Sequence, residues 1–177
     1  EFFCLSYNIR KENNFYLYFL AEDFSVKFIG NELRYLGPDE RSQALLLNKA
    51  IKKGEQYTNS YNQHWIESTP GIYIKKFLSF DIFIEELSAL LRKNFQVVIN
   101  RKDIFKDQLK LDIKEFKDEK LIEDKPIIIL LNENLPASIL SNIMVNINDL
   151  RVFHLSKIKS PENKILYINF SIENFQN

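Results

Sequence analysis

Pro126-Ile127-Ile128-Ile129-Leu130-Leu131 is apolar at every position. A strand with one wet face alternates apolar and polar residues, so a run without alternation predicts a strand covered on both sides, as in a parallel sheet flanked by helices. Both sides of this run keep the rhythm that such a sheet needs. Toward the C-terminus a helix over Leu135–Met144 is expected, then a strand over Arg151–Leu155. Ser160-Pro161-Glu162 follows, with cap, proline and acid in the order that starts a helix.

Toward the N-terminus, Arg101–Lys120 mixes charges of both signs with spaced Ile, Leu and Phe, and reads equally as a short helix or an edge strand. Phe95–Ile99 reads as a strand, and Ser79 caps a helix reaching Leu91. Gly71–Ile74 starts another strand. Before it, Glu55–Pro70 reads as a polar loop carrying Tyr57, Tyr61, His64 and Trp65 without helical or strand period. Gly37-Pro38-Asp39-Glu40 opens the clearest helix, with proline at the first helical position, Gly54 as its stop and an apolar stripe of Ala44, Leu45, Leu47, Ala50 and Ile51. Lys49, Lys52 and Lys53 fall in its second half, where the dipole favours cations. Asn14–Leu20 and Ser25–Ile29 are aromatic and β-branched strands separated around Glu22-Asp23. The sum is an α/β chain, one domain over 1–177, with a mainly parallel sheet and helices on both faces.

Composition narrows the function. Hydrophobic residues at 45% exclude a disordered chain, while 24 cations against 24 acids leave any nucleic-acid affinity to local patches. One cysteine, Cys4, forms no internal disulfide, and His64 and His154 build no zinc site without carboxylate help, so no metal and a reduced, cytoplasmic setting are expected. No apolar run approaches the roughly 18 residues that cross a bilayer, so no membrane partner is expected. The glycine-rich phosphate loops, the nucleophile elbow and the H-E-x-x-H zinc signature are all missing. Glu1-Phe2-Phe3 starts inside an apolar pattern without signal-peptide character, and residues before Glu1 are expected.

Four segments occur in order: Phe2-Phe3-x-Leu5-Ser6-x-x-Ile9-Arg10, Lys27-Phe28-Ile29-Gly30-Asn31-Glu32-Leu33, Pro38-Asp39-Glu40-Arg41 and Ser68-Thr69-Pro70-Gly71-Ile72-Tyr73. Together they resemble the archaeal tRNA pseudouridine(54) N1-methyltransferases of the SPOUT superfamily. The resemblance implies a SPOUT-type domain with a C-terminal trefoil knot, here without its N-terminal strand and part of its first helix. It also implies a homodimer, S-adenosyl-L-methionine as cofactor, and N1-methylation of a pseudouridine in the tRNA T-arm. Nothing in composition or periodicity suggests a knot.

The chemistry needs a group that accepts or steers the proton of the pseudouridine nitrogen, and Asp39, Glu40 and Arg41 are the candidates. Arg10, Lys11, Arg34, Ser68, Thr69 and Gly71 are expected to meet RNA, with Arg10 placed to bind a phosphate bidentately. The resemblance assigns the cofactor to Leu130, Leu131 and Asn132, to Leu155 and Ser156, and to Asn163 and Ile165. Three departures stand out. Leu131-Asn132-Glu133 replaces a Gly-Asp-His-like turn, Ile165 stands where the family has cysteine, and Lys157, Lys159 and Lys164 add positive charge near a cationic ligand. They motivate an alternative, a catalytically degenerate homologue acting as a dimeric RNA- or protein-binding module.

Overall fold

The computed structural model describes residues 11–37, 39–57, 64–91, 96–99, 113–115, 127–130, 151–154, 160 and 163–168. The chain divides into two compact units, Glu1–Phe80 and Asp81–Asn177.

In the first unit, β1 (Asn14–Phe19), β2 (Phe24–Ile29), β3 (Ile66–Thr69) and β4 (Ile72–Lys76) form a sheet in the order β1-β2-β4-β3. Every pairing in it is antiparallel. The expectation of a mainly parallel sheet is corrected here, and the reason is connection length. Residues 20–23 join β1 to β2, and Pro70-Gly71 join β3 to β4, whereas a parallel pair needs a crossover of about a dozen residues or more. Asp23 takes the left-handed conformation, φ 53°, that closes the first hairpin.

Helix α1 (Glu40–Tyr57) covers one face of this sheet. Val26, Phe28, Ile72 and Ile74 face it, and Leu46, Leu47 and Ala50 meet them, with Val26 and Ala50 fully buried. The stripe therefore differs from the one expected: Leu45 is 60% exposed and Leu46 takes its place. Gly54 does not stop the helix. A Cβ there would lie 2.3 Å from Ile74 Cδ1, so the glycine lets the helix approach β4 closely while the helix runs on to Tyr57. The lysines consequently fall short of the last turn, and Lys53 Nζ instead donates to the Glu67 carbonyl at 2.6 Å, tying α1 to β3.

Helix α2 (Phe80–Leu90) follows with Ser79 directly before it, and buries Phe83 and Ile84. In the second unit β5 (Gln96–Ile99), β6 (Ile113–Glu115), β7 (Ile127–Leu130) and β8 (Arg151–His154) pair parallel in the order β6-β8-β5-β7. The ambiguous 101–120 stretch contributes strand β6. Residues 163–168 are helical, and Ser160 caps them: its hydroxyl accepts the Asn163 amide at 3.2 Å and its carbonyl the Lys164 amide at 3.1 Å. Lys164, Ile165 and Ile168 are buried while Leu166 is 43% exposed. The expected helix 135–144 and the connections that would carry a knot lie outside the described residues. Among the described residues no helix is long and apolar enough to cross a membrane, and no three His, Cys, Asp or Glu groups stand together as metal ligands.

Candidate functional site

Two of the four segments meet in the first unit. Gly71 has φ 79°, the left-handed value that a Pro-Gly turn requires at its second position, and only a residue without Cβ stays there unstrained. A Cβ would lie 2.5 Å from the Leu33 nitrogen and 2.7 Å from the Glu32 carbonyl carbon. The Ile29 amide donates to the Gly71 carbonyl at 2.8 Å, and Tyr73 donates its hydroxyl proton to Glu32 at 2.5 Å. The Gly30-Asn31-Glu32-Leu33 turn, held by Glu32 and Leu33 amides on the Ile29 carbonyl, is thus backed directly by the Pro70-Gly71 turn. That hydrogen bond to Glu32, then desolvation, then the charges of Glu32 and Glu67 push the Tyr73 hydroxyl up to about 12.

Ser68 and Thr69 occupy the last turn of strand before that hairpin. The register shifts between Glu67 and Thr69, so Ser68 is the extra residue of a β-bulge, a device that re-aims side chains at strand ends. Ser68 Oγ and Thr69 Oγ1 are buried without a hydrogen-bond partner, and such atoms carry unspent bonding capacity at a cost to stability.

At the start of α1, Asp39 is the N-cap. Its Oδ1 accepts the Ser42 amide at 2.8 Å, and its carbonyl accepts the Ser42 hydroxyl at 3.0 Å. The Ser42 amide first, then the Ser42 hydroxyl, hold the Asp39 carboxyl below the usual carboxylate range. A carboxylate so stabilised is a poor proton acceptor and a firm negative charge. Glu40 and Arg41 are exposed in the first helical turn, and Lys11 and Arg34 are exposed as well. Arg10 and Pro38 lie outside the described residues.

In the second unit the register sets Ile99 level with Leu130 on one side and His154 on the other. The chain therefore leaves the two strands flanking β5 at one carboxyl end of the sheet, where open parallel sheets leave a ligand crevice. Leu130 stands at that end; Leu131, Asn132, Leu155 and Ser156 lie outside the described residues. Asn163 is exposed and Ile165 is buried. Lys164 is 5% exposed, so its charge is not on the surface of this unit.

The sequence pattern of the family described as "Putative SAM-dependent RNA methyltransferase" matches residues 1–152, and the chain belongs to that family. Its relatives include the tRNA (pseudouridine(54)-N(1))-methyltransferase of Methanocaldococcus jannaschii, 35% identical over 88 residues, which are 48% of this chain and 43% of that protein. The protein of the same name from Haloferax volcanii is 38% identical over 87 residues, covering 49% and 41%. That from Methanococcus maripaludis strain C7 is 33% identical over 120 residues, covering 66% and 54%. The chain spans about half the length of the curated relatives it matches.

Proposed function

We propose that this chain methylates N1 of a pseudouridine in the tRNA T-arm, using S-adenosyl-L-methionine. What carries the reading is the shared name of the relatives above, matched over the stretch in which the Gly30–Leu33 and Ser68–Tyr73 segments pack against each other. Because each of those relatives bears the enzyme's name, the reading favours an enzyme over a degenerate binding module. The SPOUT fold with its C-terminal knot, the single domain and the homodimer belong to the same proposal, with exposed Leu166 part of the self-complementary face.

The bound cofactor supplies an electrophilic methyl group on a sulfonium. Its proposed place is beyond Leu130, at the carboxyl end of the parallel strands, where open sheets of this kind commonly bind ligands. Leu131, Asn132, Leu155, Ser156, Asn163 and Ile165 complete the proposed set. On the RNA side, Asp39 keeps its charge and fixes the first turn of α1, and beside it Glu40 and Arg41 are the proposed groups that accept and steer the proton. Ser68 and Thr69, beside Gly71, are the proposed RNA contacts on this turn, while Arg10, Lys11 and Arg34 take phosphates.

Methyl transfer from labelled cofactor to two T-arm hairpins, one with pseudouridine and one with uridine, tests this. Transfer to the first alone is expected; transfer to neither, with cofactor binding intact by calorimetry, refutes it. The Ser68→Ala, Thr69→Val double variant should melt no lower than the parent, because it removes two unpaired hydroxyls, yet transfer methyl roughly tenfold more slowly, the worth of about 1.4 kcal/mol.

A further inference from the structure

The sheet of the first unit has a second face. Side chains alternate along a strand, and since Val26, Phe28, Ile72 and Ile74 meet α1, Lys27 and Tyr73 point the other way. The register aligns Tyr16 with Lys27 and Lys27 with Tyr73, which makes one row across three strands. Trp65, just before β3, joins it: its ring meets Tyr16 edge-on at 6.3 Å, and Lys27 Nζ sits 4.4 Å from its centroid and 4.8 Å from that of Tyr73. All four side chains are half-buried.

A core would not put a lysine between two rings, because burying an ammonium costs several kcal/mol unless it is compensated. Trp65 also meets the buried Phe77 edge-on at 5.8 Å, which fixes its ring in the row. Rings alternating with a cation suit a chain whose units are each a flat base and a phosphate: the base stacks, and the ammonium takes the phosphate. An incoming phosphate draws Lys27 off the indole and leaves that ring face to a base.

We infer that Tyr16, Lys27, Trp65 and Tyr73 form a stacking platform for unpaired nucleotides of the RNA substrate, on the sheet face opposite α1. The inference rests on the RNA-acting assignment above, and adds a site remote in sequence from Asp39–Arg41.

Trp65 is the chain's one tryptophan, so its emission reports on this face alone. The full chain is titrated with a labelled RNA hairpin bearing a single-stranded loop and with a blunt duplex of equal length, following RNA anisotropy and indole emission together. The hairpin should bind and quench the indole, and the duplex should not quench it. Trp65→Leu and Lys27→Gln should each weaken hairpin binding roughly tenfold, and Trp65→Phe should retain most of the affinity. If Trp65→Leu does not fold, Lys27→Gln and the parent's quenching still decide. Hairpin binding with unchanged emission and unaltered affinity of Lys27→Gln overturns the platform, as do equal quenching by the duplex and failure of the hairpin to bind. Emission that changes with protein concentration alone assigns the face to a second copy and overturns it too. Methyl transfer without quenching removes only the platform, whereas quenching without methyl transfer removes only the methyltransferase reading.

Discussion

Asp39 shows how one residue serves shape and charge together. As N-cap it spends Oδ1 on the Ser42 amide, and the same bond depresses its pKa. A depressed folded value means that the stabilisation is complete above the ordinary carboxylate value of 3.8 and is lost as pH falls through the lowered one. Asp39→Ala should therefore lower the melting temperature at neutral pH, and the gap to the parent should close in acid. Asp39→Asn should keep most of the cap throughout, since asparagine caps about as well. Melting curves from pH 7 downward check this, and a gap that persists unchanged in acid would assign the loss to something other than the carboxylate. Gly71 is the opposite case, a residue chosen for what it lacks, because the Leu33 backbone occupies the place of its Cβ.

Among elements, α1 and β4 are matched through Gly54. Alanine there would gain up to about 1 kcal/mol of helix propensity, but its Cβ would displace Ile74, which is 3% exposed, and overpacking costs typically about 1–3 kcal/mol. Gly54→Ala should destabilise the protein on balance, and Ile74→Val, which removes Cδ1, should turn the same change neutral or favourable. Denaturant unfolding of the four proteins of this cycle measures the coupling, and simple additivity would contradict the contact. The glycine also marks what could be read from sequence. Its helical role was hidden because a stop and a close approach both demand glycine, and only β4, some twenty residues further on, distinguishes them. The strands at 14–19, 24–29, 96–99, 127–130 and 151–154 were legible from β-branched and aromatic runs. Strand β3 was not, because Ile66-Glu67-Ser68-Thr69 is polar and interrupted by a bulge. Of the site, the Ser68–Tyr73 and Lys27–Leu33 segments were visible as strings, but their contact needed the β2–β4 pairing. The aromatic row stayed invisible for the same reason: Tyr16, Lys27, Trp65 and Tyr73 have no common period until three strands align.

At the scale of the molecule, equal numbers of cations and acids leave no general field to attract RNA. Under the proposed function, affinity for RNA depends on few phosphates, each contributing its own released counterion. Replacing Arg10 and Arg41 together by alanine should flatten the slope of log affinity against log salt by about 1–2 and weaken binding at low salt most. Equal slopes for parent and variant would remove both arginines from the interface. The two sheets also differ in when they can exist. All strands of the antiparallel sheet have been synthesised once Lys76 is made, whereas β5 gains its neighbour β8 only after roughly fifty further residues, a delay of some 3–10 s at about 5–20 residues per second. During that interval the nascent chain carries Val97, Val98 and Ile99 with at most one partner strand, an unpaired apolar edge of the kind that aggregates.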